Sequence, residues 1–164
     1  MIRVGFGYDS HRLEEKRKLV LGGVEIPHEK GLLGHSDADV LAHAVGDAIL
    51  GAVGAEDLGT HFPETDPAFK NISSMAILAR ISEILLSRHY VINNVDVTVI
   101  CEKPRLREYI PRMKAKVEDV LSLTPGSVSI KATTNERMGF IGRGEGIAAC
   151  AVVTVYPVPE PQDT

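Results

Sequence analysis

Ile2, Val4 and Phe6 alternate with Arg3 and Gly5, the period-2 pattern of a half-buried strand, and Gly7 marks its end. Leu19-Val20-Leu21, stopped by Gly22-Gly23, predicts a second short strand, with Val24 to Pro27 returning beside it as a hairpin. Lys30 to Ser36 reads as loop, punctuated by Gly31 and Gly34. At Asp39 the period changes. Val40, Leu41, Ala44, Val45, Ala48 and Ile49 share one face of a helix that Gly51 and Gly54 end. Glu56 to Lys70 is a polar loop with Pro63 and Pro67. Asn71 or Ser73 then caps a second helix running to about His89, with Ile77, Ile81 and Ile84/Leu85 inside. Val95, Val97 and Val99 predict a strand. Pro104 fits the first turn of a third helix, with Ile110, Met113, Val117 and Leu121 inside. Val128 and Ile130 open a strand that runs into Thr133-Thr134, and Gly139 to Gly146 is a glycine-rich turn. Ile147 to Val155 is apolar on both faces, which predicts cover on both sides, by helices or by another subunit.

Strands and helices mixed in this way over 164 residues predict one α/β domain, residues 1–156, with a flexible, Pro-rich tail at 157–164. The chain has four Phe, four Tyr and no Trp, so its core is aliphatic. A net charge of −4 disfavours nucleic acid or an anionic membrane as partner, and an anionic substrate must be held by local cations. Cys101 and Cys150 form no CxxC pattern and read as small buried residues of a reducing compartment. No signal peptide precedes the first strand and no apolar run is long enough to span a bilayer, so a cytoplasmic location is expected.

The chemistry concentrates in the first 43 residues. In Asp9-Ser10-His11 the first and third side chains share a strand face. His35-Ser36-Asp37-Ala38-Asp39 follows, and then His43 on a helix. One carboxylate and two imidazoles suit Zn²⁺ and leave a fourth position open, the mark of a catalytic site. Asp39 and Asp47, four residues either side of His43, are candidates to orient its ring. Taken singly, each feature has a plainer reading: a hydrogen-bonded Asp–His pair, a partly buried helix histidine, solvated helix charges. The same holds for the acidic loop Asp57-Leu58-Gly59 and Phe62-Pro63-Glu64-Thr65-Asp66, where carboxylates and backbone N–H groups suit a polyol. Cys101-Glu102-Lys103-Pro104-Arg105-Leu106-Arg107 places three cations at a predicted helix start, where phosphate is favoured. Lys131, Thr133, Thr134, Asn135 and Glu136 offer further groups for phosphate oxygens and a hard cation.

In order and spacing, these motifs, with Gly142-Arg143-Gly144-Glu145-Gly146, resemble the 2-C-methyl-D-erythritol 2,4-cyclodiphosphate synthase family over residues 1–156. The resemblance implies an α+β chain whose mixed sheet carries helices on one side and packs around a trimer axis. It implies cyclisation of 4-diphosphocytidyl-2-C-methyl-D-erythritol 2-phosphate with release of CMP, by attack of the substrate's own 2-phosphate. Asp9, His11 and His43 then hold Zn²⁺, Glu136 holds a second cation (Mg²⁺ or Mn²⁺), and His35 and Thr134 are the catalytic positions. His35 and Ser36 orient phosphate beside Asp9, Ser10 and His11. Asp57, Leu58, Gly59, Phe62, Pro63, Glu64, Thr65 and Asp66 contact the erythritol. Cys101, Glu102, Lys103, Pro104, Arg105, Leu106 and Arg107 contact the cytidine side, with Thr133 to Glu136 shared, and Phe140 and Arg143 stand near the threefold axis. The implied enzyme is a homotrimeric phosphorus–oxygen lyase (EC 4.6.1.12) with active sites between subunits. Two other readings are a zinc-dependent phosphodiesterase using water, and a non-catalytic trimeric binding protein with structural zinc.

Overall fold

The computed structural model describes residues 1–63, 65–69 and 72–158. Strands β1 (Arg3–Glu15), β4 (Lys30–Leu32), β5 (Tyr90–Ile100), β6 (Val128–Thr133) and β7 (Gly146–Pro157) form one sheet in the order β4-β1-β7-β5-β6. β5 and β6 are parallel and the other pairs antiparallel, so the sheet is mixed. β2 (Leu19–Leu21) and β3 (Val24–Ile26) make the expected separate hairpin. Helices α1 (Val40–Ala52), α3 (Ser74–Ser87) and α4 (Ile110–Val120) pack on one side. Short helices α2 (Leu58–His61) and α5 (Gly139–Gly142) interrupt the polar loop and the glycine-rich turn.

α1 is buried nearly all round between the sheet and α3, which explains its Ala-rich, almost wholly apolar sequence. Leu41 and Ile49 are fully buried there, each contributing roughly 2 kcal/mol by loss of apolar surface to water. Asp39 starts the helix as read from the sequence, and accepts from the N–H groups of Leu41 and Ala42 at 3.1 Å each. It also accepts from Gly22 and Gly23 at 3.0 and 2.7 Å, tying the hairpin turn to the helix. Burial pushes its carboxyl up to about 6, against the pull of these bonds.

Four expectations change. β1 runs on to Glu15, because its second half pairs with β7 as far as Arg12–Gly146 and then with β4. Lys30–Leu32 is that partner strand rather than loop. Pro104 does not open a helix: α4 starts at Ile110, with Pro111 in its first turn, and Pro104 lies in the preceding loop. The first strand also presents its other face to the core. Val4 and Phe6 are each 64% exposed, whereas Gly5 and Gly7 are buried against α1. A Cβ at Gly7 would lie 2.0 Å from the Ala44 carbonyl oxygen, and one at Gly5 1.8 Å from that of Ala48. Only glycine lets strand and helix backbones approach so closely.

A first prediction follows from that contact. Ordinary overpacking costs about 1–3 kcal/mol. Here backbone meets backbone, so Gly7→Ala should cost at least about 3 kcal/mol and lower the denaturant midpoint clearly. An unchanged midpoint would show that α1 can shift freely from β1.

Two strand ends also move: β5 already begins at Tyr90, ahead of the Val95 alternation, and β7 runs past Val155 to Pro157, the first residue of the expected tail. Ser73 caps α3 through the N–H of Ala76, while Asn71, the alternative cap, lies outside the described residues. At the chain end, the Val158 N–H donates to the His89 carbonyl, and residues 159–164 lie outside the described residues.

Candidate metal centre and its two clefts

The close strand–helix approach positions the metal-type residues. Asp9 and His11 continue the Gly5–Gly7 face of β1 toward α1, and His43 precedes Ala44, the residue that Gly7 touches. Asp9 Oδ2 lies 3.2 Å from His11 Nε2 and 3.0 Å from His43 Nδ1. One ligand atom from each of the three residues falls within 4.8 Å of the others. Among the described residues, this is the grouping of three or more such side chains able to hold a metal ion. Burial pushes the Asp9 carboxyl up, but the hydrogen bonds and charges of His11 and His43 outweigh it and hold the group well below the usual range. One carboxylate oxygen and two imidazole nitrogens form a donor set that fits zinc.

The far nitrogens of both rings are also engaged. His11 Nδ1 is 2.7 Å from the Leu33 carbonyl oxygen. His43 Nε2 is 3.0 Å from Ser74 Oγ and 3.3 Å from Ser36 Oγ. Neither Asp39 nor Asp47 supplies that contact. Asp39 is committed to the four N–H groups named above, and Asp47 accepts from the Leu58 N–H at 2.8 Å. Asp47 does line the same cleft.

That cleft, about 220 Å³, is walled by Asp9, His11, His35, Ser36, His43, Leu58, Gly59 and Phe62, together with Phe69, Ile72 and Ile77. His35 is exposed and Ser36 half-buried at its edge. Asp57, Pro63, Thr65 and Asp66 do not line it, and Glu64 lies outside the described residues. Asp57 Oδ1 caps α2, accepting from both the N–H and the hydroxyl of Thr60 at 2.8 Å, and those bonds lower its pKa. Asp66 accepts from the Ala68 N–H at 2.9 Å.

Of the residues expected on the cytidine side, Cys101 to Arg107, Thr133 and Thr134 line a second, larger cleft of about 1200 Å³, and Asn135 and Glu136 do not. Arg137, Arg143, His28, Glu29 and Lys30 line it too, and Phe140 does not. The metal-type triad and this cleft are therefore separate on one chain. Cys101 is buried and its thiol is pushed up to about 11, so it is no nucleophile. Glu102 turns inward: Oε1 accepts from the N–H groups of Asn135 at 2.8 Å and Arg137 at 3.2 Å. It thus clamps a turn in which Glu136 and Arg137 both have positive φ, 50° and 61°. Thr134 Oγ1 donates to Glu136 Oε1 at 3.0 Å, and Asn135 Nδ2 to the Met138 carbonyl at 2.8 Å. Lys131 is an ion-pair partner of Asp96 rather than part of this cleft. Arg143 pairs with Glu145 at 2.7 Å, and Phe140 packs by Gly146.

Ser74, with the Asp37 that holds it, is the contact that sequence reasoning missed. Ser74 only follows the cap candidate Ser73 in the sequence, and nothing there places it beside a histidine 31 residues earlier. Phe69, Ile72 and Ile77 were equally hidden, because apolar cleft walls look like core.

Residues 2–156 match the YgbB family. A 2-C-methyl-D-erythritol 2,4-cyclodiphosphate synthase of Alkaliphilus metalliredigens is 56% identical over 154 residues, which are 94% of this chain and 97% of that one. The bifunctional IspDF of Campylobacter jejuni superposes with a TM-score of 0.92 and 39% identity, over 96% of this chain and 42% of that longer one. IspF of Plasmodium falciparum, in a CDP complex, gives 0.84 and 33% identity over 96% of this chain and 97% of its own. The family match, the identities and the superpositions each run over nearly the whole chain, and the chain belongs to the YgbB family.

Proposed function

We propose that this chain catalyses the metal-dependent cyclisation of 4-diphosphocytidyl-2-C-methyl-D-erythritol 2-phosphate to 2-C-methyl-D-erythritol 2,4-cyclodiphosphate, releasing CMP, as a cytoplasmic phosphorus–oxygen lyase of non-mevalonate isoprenoid precursor synthesis. The observation that carries this is the convergence of Asp9, His11 and His43 on a cleft that also presents His35 and Ser36. Those three residues would hold Zn²⁺, which when bound supplies a Lewis acid for a phosphate oxygen.

The chain's own residues then orient and neutralise. Phosphoryl transfer depends on positioning and charge compensation more than on covalent help, and the substrate carries its own nucleophile. His35 and Ser36 direct phosphate at the metal side, and the Leu58–Gly59 turn directs the erythritol. Thr133 and Thr134 lie on the diphosphate side of the larger cleft, and Lys103, Arg105 and Arg107 compensate charge at the nucleotide. Glu136 is a single carboxylate, which suits Mg²⁺ or Mn²⁺ held jointly with substrate phosphates.

Separate clefts on one chain, and a bare apolar sheet face carrying Phe6 and Val152, support a homotrimer in which the metal side of one subunit meets the cytidine side of the next. The partner is then a small nucleotide-linked substrate, not nucleic acid or membrane; no helix among the described residues is long and apolar enough to cross one.

CMP release from the diphosphocytidyl substrate, measured before and after metal removal by chelator, tests the reading. Release should stop on chelation and return with Zn²⁺ plus Mg²⁺; release indifferent to chelation would refute it. A division of labour within the site is also expected. Lys103→Ala and Arg105→Ala should weaken CMP binding by roughly tenfold each, as losing an exposed charge contact does. Asp57→Ala should lower kcat and leave CMP affinity near normal, because it loosens the α2 turn and not the nucleotide cleft. Equal losses of CMP affinity in both sets would contradict this division.

A further inference from the structure

We infer that Ser74 and Asp37 are positioning residues that hold a proton on Nε2 of the His43 ring, so that Nδ1 is the nitrogen left to bind a metal beside Asp9 and His11. The inference rests on the metal reading of those three residues and concerns two side chains outside that set.

Asp37 lies in the loop before α1, and Ser74 is the first residue of α3 and fully buried. Asp37 Oδ2 accepts from the Ser74 N–H at 3.0 Å, and Oδ1 accepts from the Ser74 hydroxyl. A carboxylate only accepts, and a hydroxyl has one proton. With that proton directed at Asp37, Ser74 Oγ has only lone pairs to offer His43 Nε2, 3.0 Å away. Nε2 must then be the donor. Nδ1, 3.0 Å from Asp9 Oδ2, can donate there while it keeps a proton; with Nε2 held as a donor to Ser74, Nδ1 is the nitrogen that gives up its proton when a metal binds. Ser36 Oγ, which accepts from the Ala38 N–H at 3.1 Å, stands 3.3 Å from the same Nε2 as a weaker second acceptor.

His11 follows the same logic with a simpler partner. The Leu33 carbonyl can only accept, so His11 Nδ1 donates and Nε2 is the nitrogen left to bind a metal beside Asp9. One ring is set by backbone and the other by a Ser–Asp relay reaching across from α3. The relay also ends on a carboxylate, which strengthens the ring as a ligand. It makes the start of α3 part of the metal site, although no α3 atom belongs to the ligand set.

Two substitutions in the full-length chain separate positioning from simple packing. Ser74→Ala removes the acceptor. Asp37→Asn is nearly isosteric and inverts the relay: its carbonyl keeps the Ser74 N–H bond, its amide donates to Ser74 Oγ, and the serine proton turns toward His43 Nε2. The ring proton is thereby driven to Nδ1, onto the ligand position. Zinc affinity is measured by competition with a chromophoric chelator. The ring proton is located on metal-free, ¹⁵N-histidine-labelled protein at about pH 8 by long-range ¹H–¹⁵N correlation. The parent should show His43 protonated on Nε2. Ser74→Ala should weaken zinc about 10–100-fold. Asp37→Asn should weaken it at least as much and move the proton to Nδ1, and Ser74→Thr should restore most of the affinity. A parent ring protonated on Nδ1 alone overturns the inference even if neither variant folds. Zinc affinities within twofold of the parent in both Ser74→Ala and Asp37→Asn overturn it as well. His43→Ala serves as the control: if it keeps zinc, the metal reading itself fails, whereas if it loses zinc while the relay variants keep it, only the relay fails.

Discussion

His43→Ala should lose most of its zinc and nearly all CMP-releasing activity while staying folded. Removing one of three protein ligands leaves Asp9 and His11, both from one strand, and a two-ligand site holds zinc poorly. Activity should fall by on the order of 10³-fold, the scale of losing a preorganised charge at a developing phosphate charge. The fold should survive, because the ring lies on a cleft wall and not within the helix–sheet core, which Leu41, Val45 and Ile49 supply. Metal analysis, circular dichroism and the CMP assay read the three parts separately. Full zinc occupancy in a folded variant would contradict the ligand assignment. Unfolding of the wild-type chain on zinc removal, with ligand binding intact after refolding, would favour a structural metal instead.

Val152→Lys should give a folded monomer with at least about a hundredfold less activity. Val152 sits on the sheet face without helices, 39% exposed, opposite Phe6 on β1 and Asp96 on β5. Val4, Phe6 and Tyr8 extend the patch, at 64%, 64% and 49% exposure. Asp96, across the strand pair, is already the partner of Lys131, but an exposed lysine keeps its head in water, so the single chain tolerates it. A buried subunit interface does not, because the charge loses water without a fixed partner. Light scattering should report three chain masses for the parent and one for the variant. A monomeric parent at micromolar concentration would contradict both the trimer and a site shared between subunits.

Much of this was legible in the sequence, for physical reasons that also explain the misses. Periodicity identified β1, α1, α3, β5 and β7, because strand and helix periods are local properties. It did not say which face of β1 meets the helix. The apolar side, Val4 and Phe6, is the obvious choice for a core, yet the glycine side wins because α1 comes too close for any side chain. Asp9, His11 and His43 were legible because a strand's i, i+2 pair and one helix residue make a sparse, recognisable ligand set. Pro104 misled because a proline fits a loop as well as a first helical turn, and Pro111 is the one that α4 uses. Asp39 and Asp47 were reasonable orienters by helical spacing, but the nearest donors to them are backbone N–H groups, and these take the carboxylates. Ser74 was invisible because its partnership with Asp37 and His43 is purely tertiary.

In the proposed reaction the substrate's own phosphate, and not water, attacks at this site. The most direct test is product analysis after turnover of 4-diphosphocytidyl-2-C-methyl-D-erythritol 2-phosphate in H₂¹⁸O. The account predicts CMP and the cyclic diphosphate in equal amounts, neither carrying solvent ¹⁸O. A linear product with ¹⁸O incorporated at phosphorus would contradict it and identify a zinc phosphodiesterase.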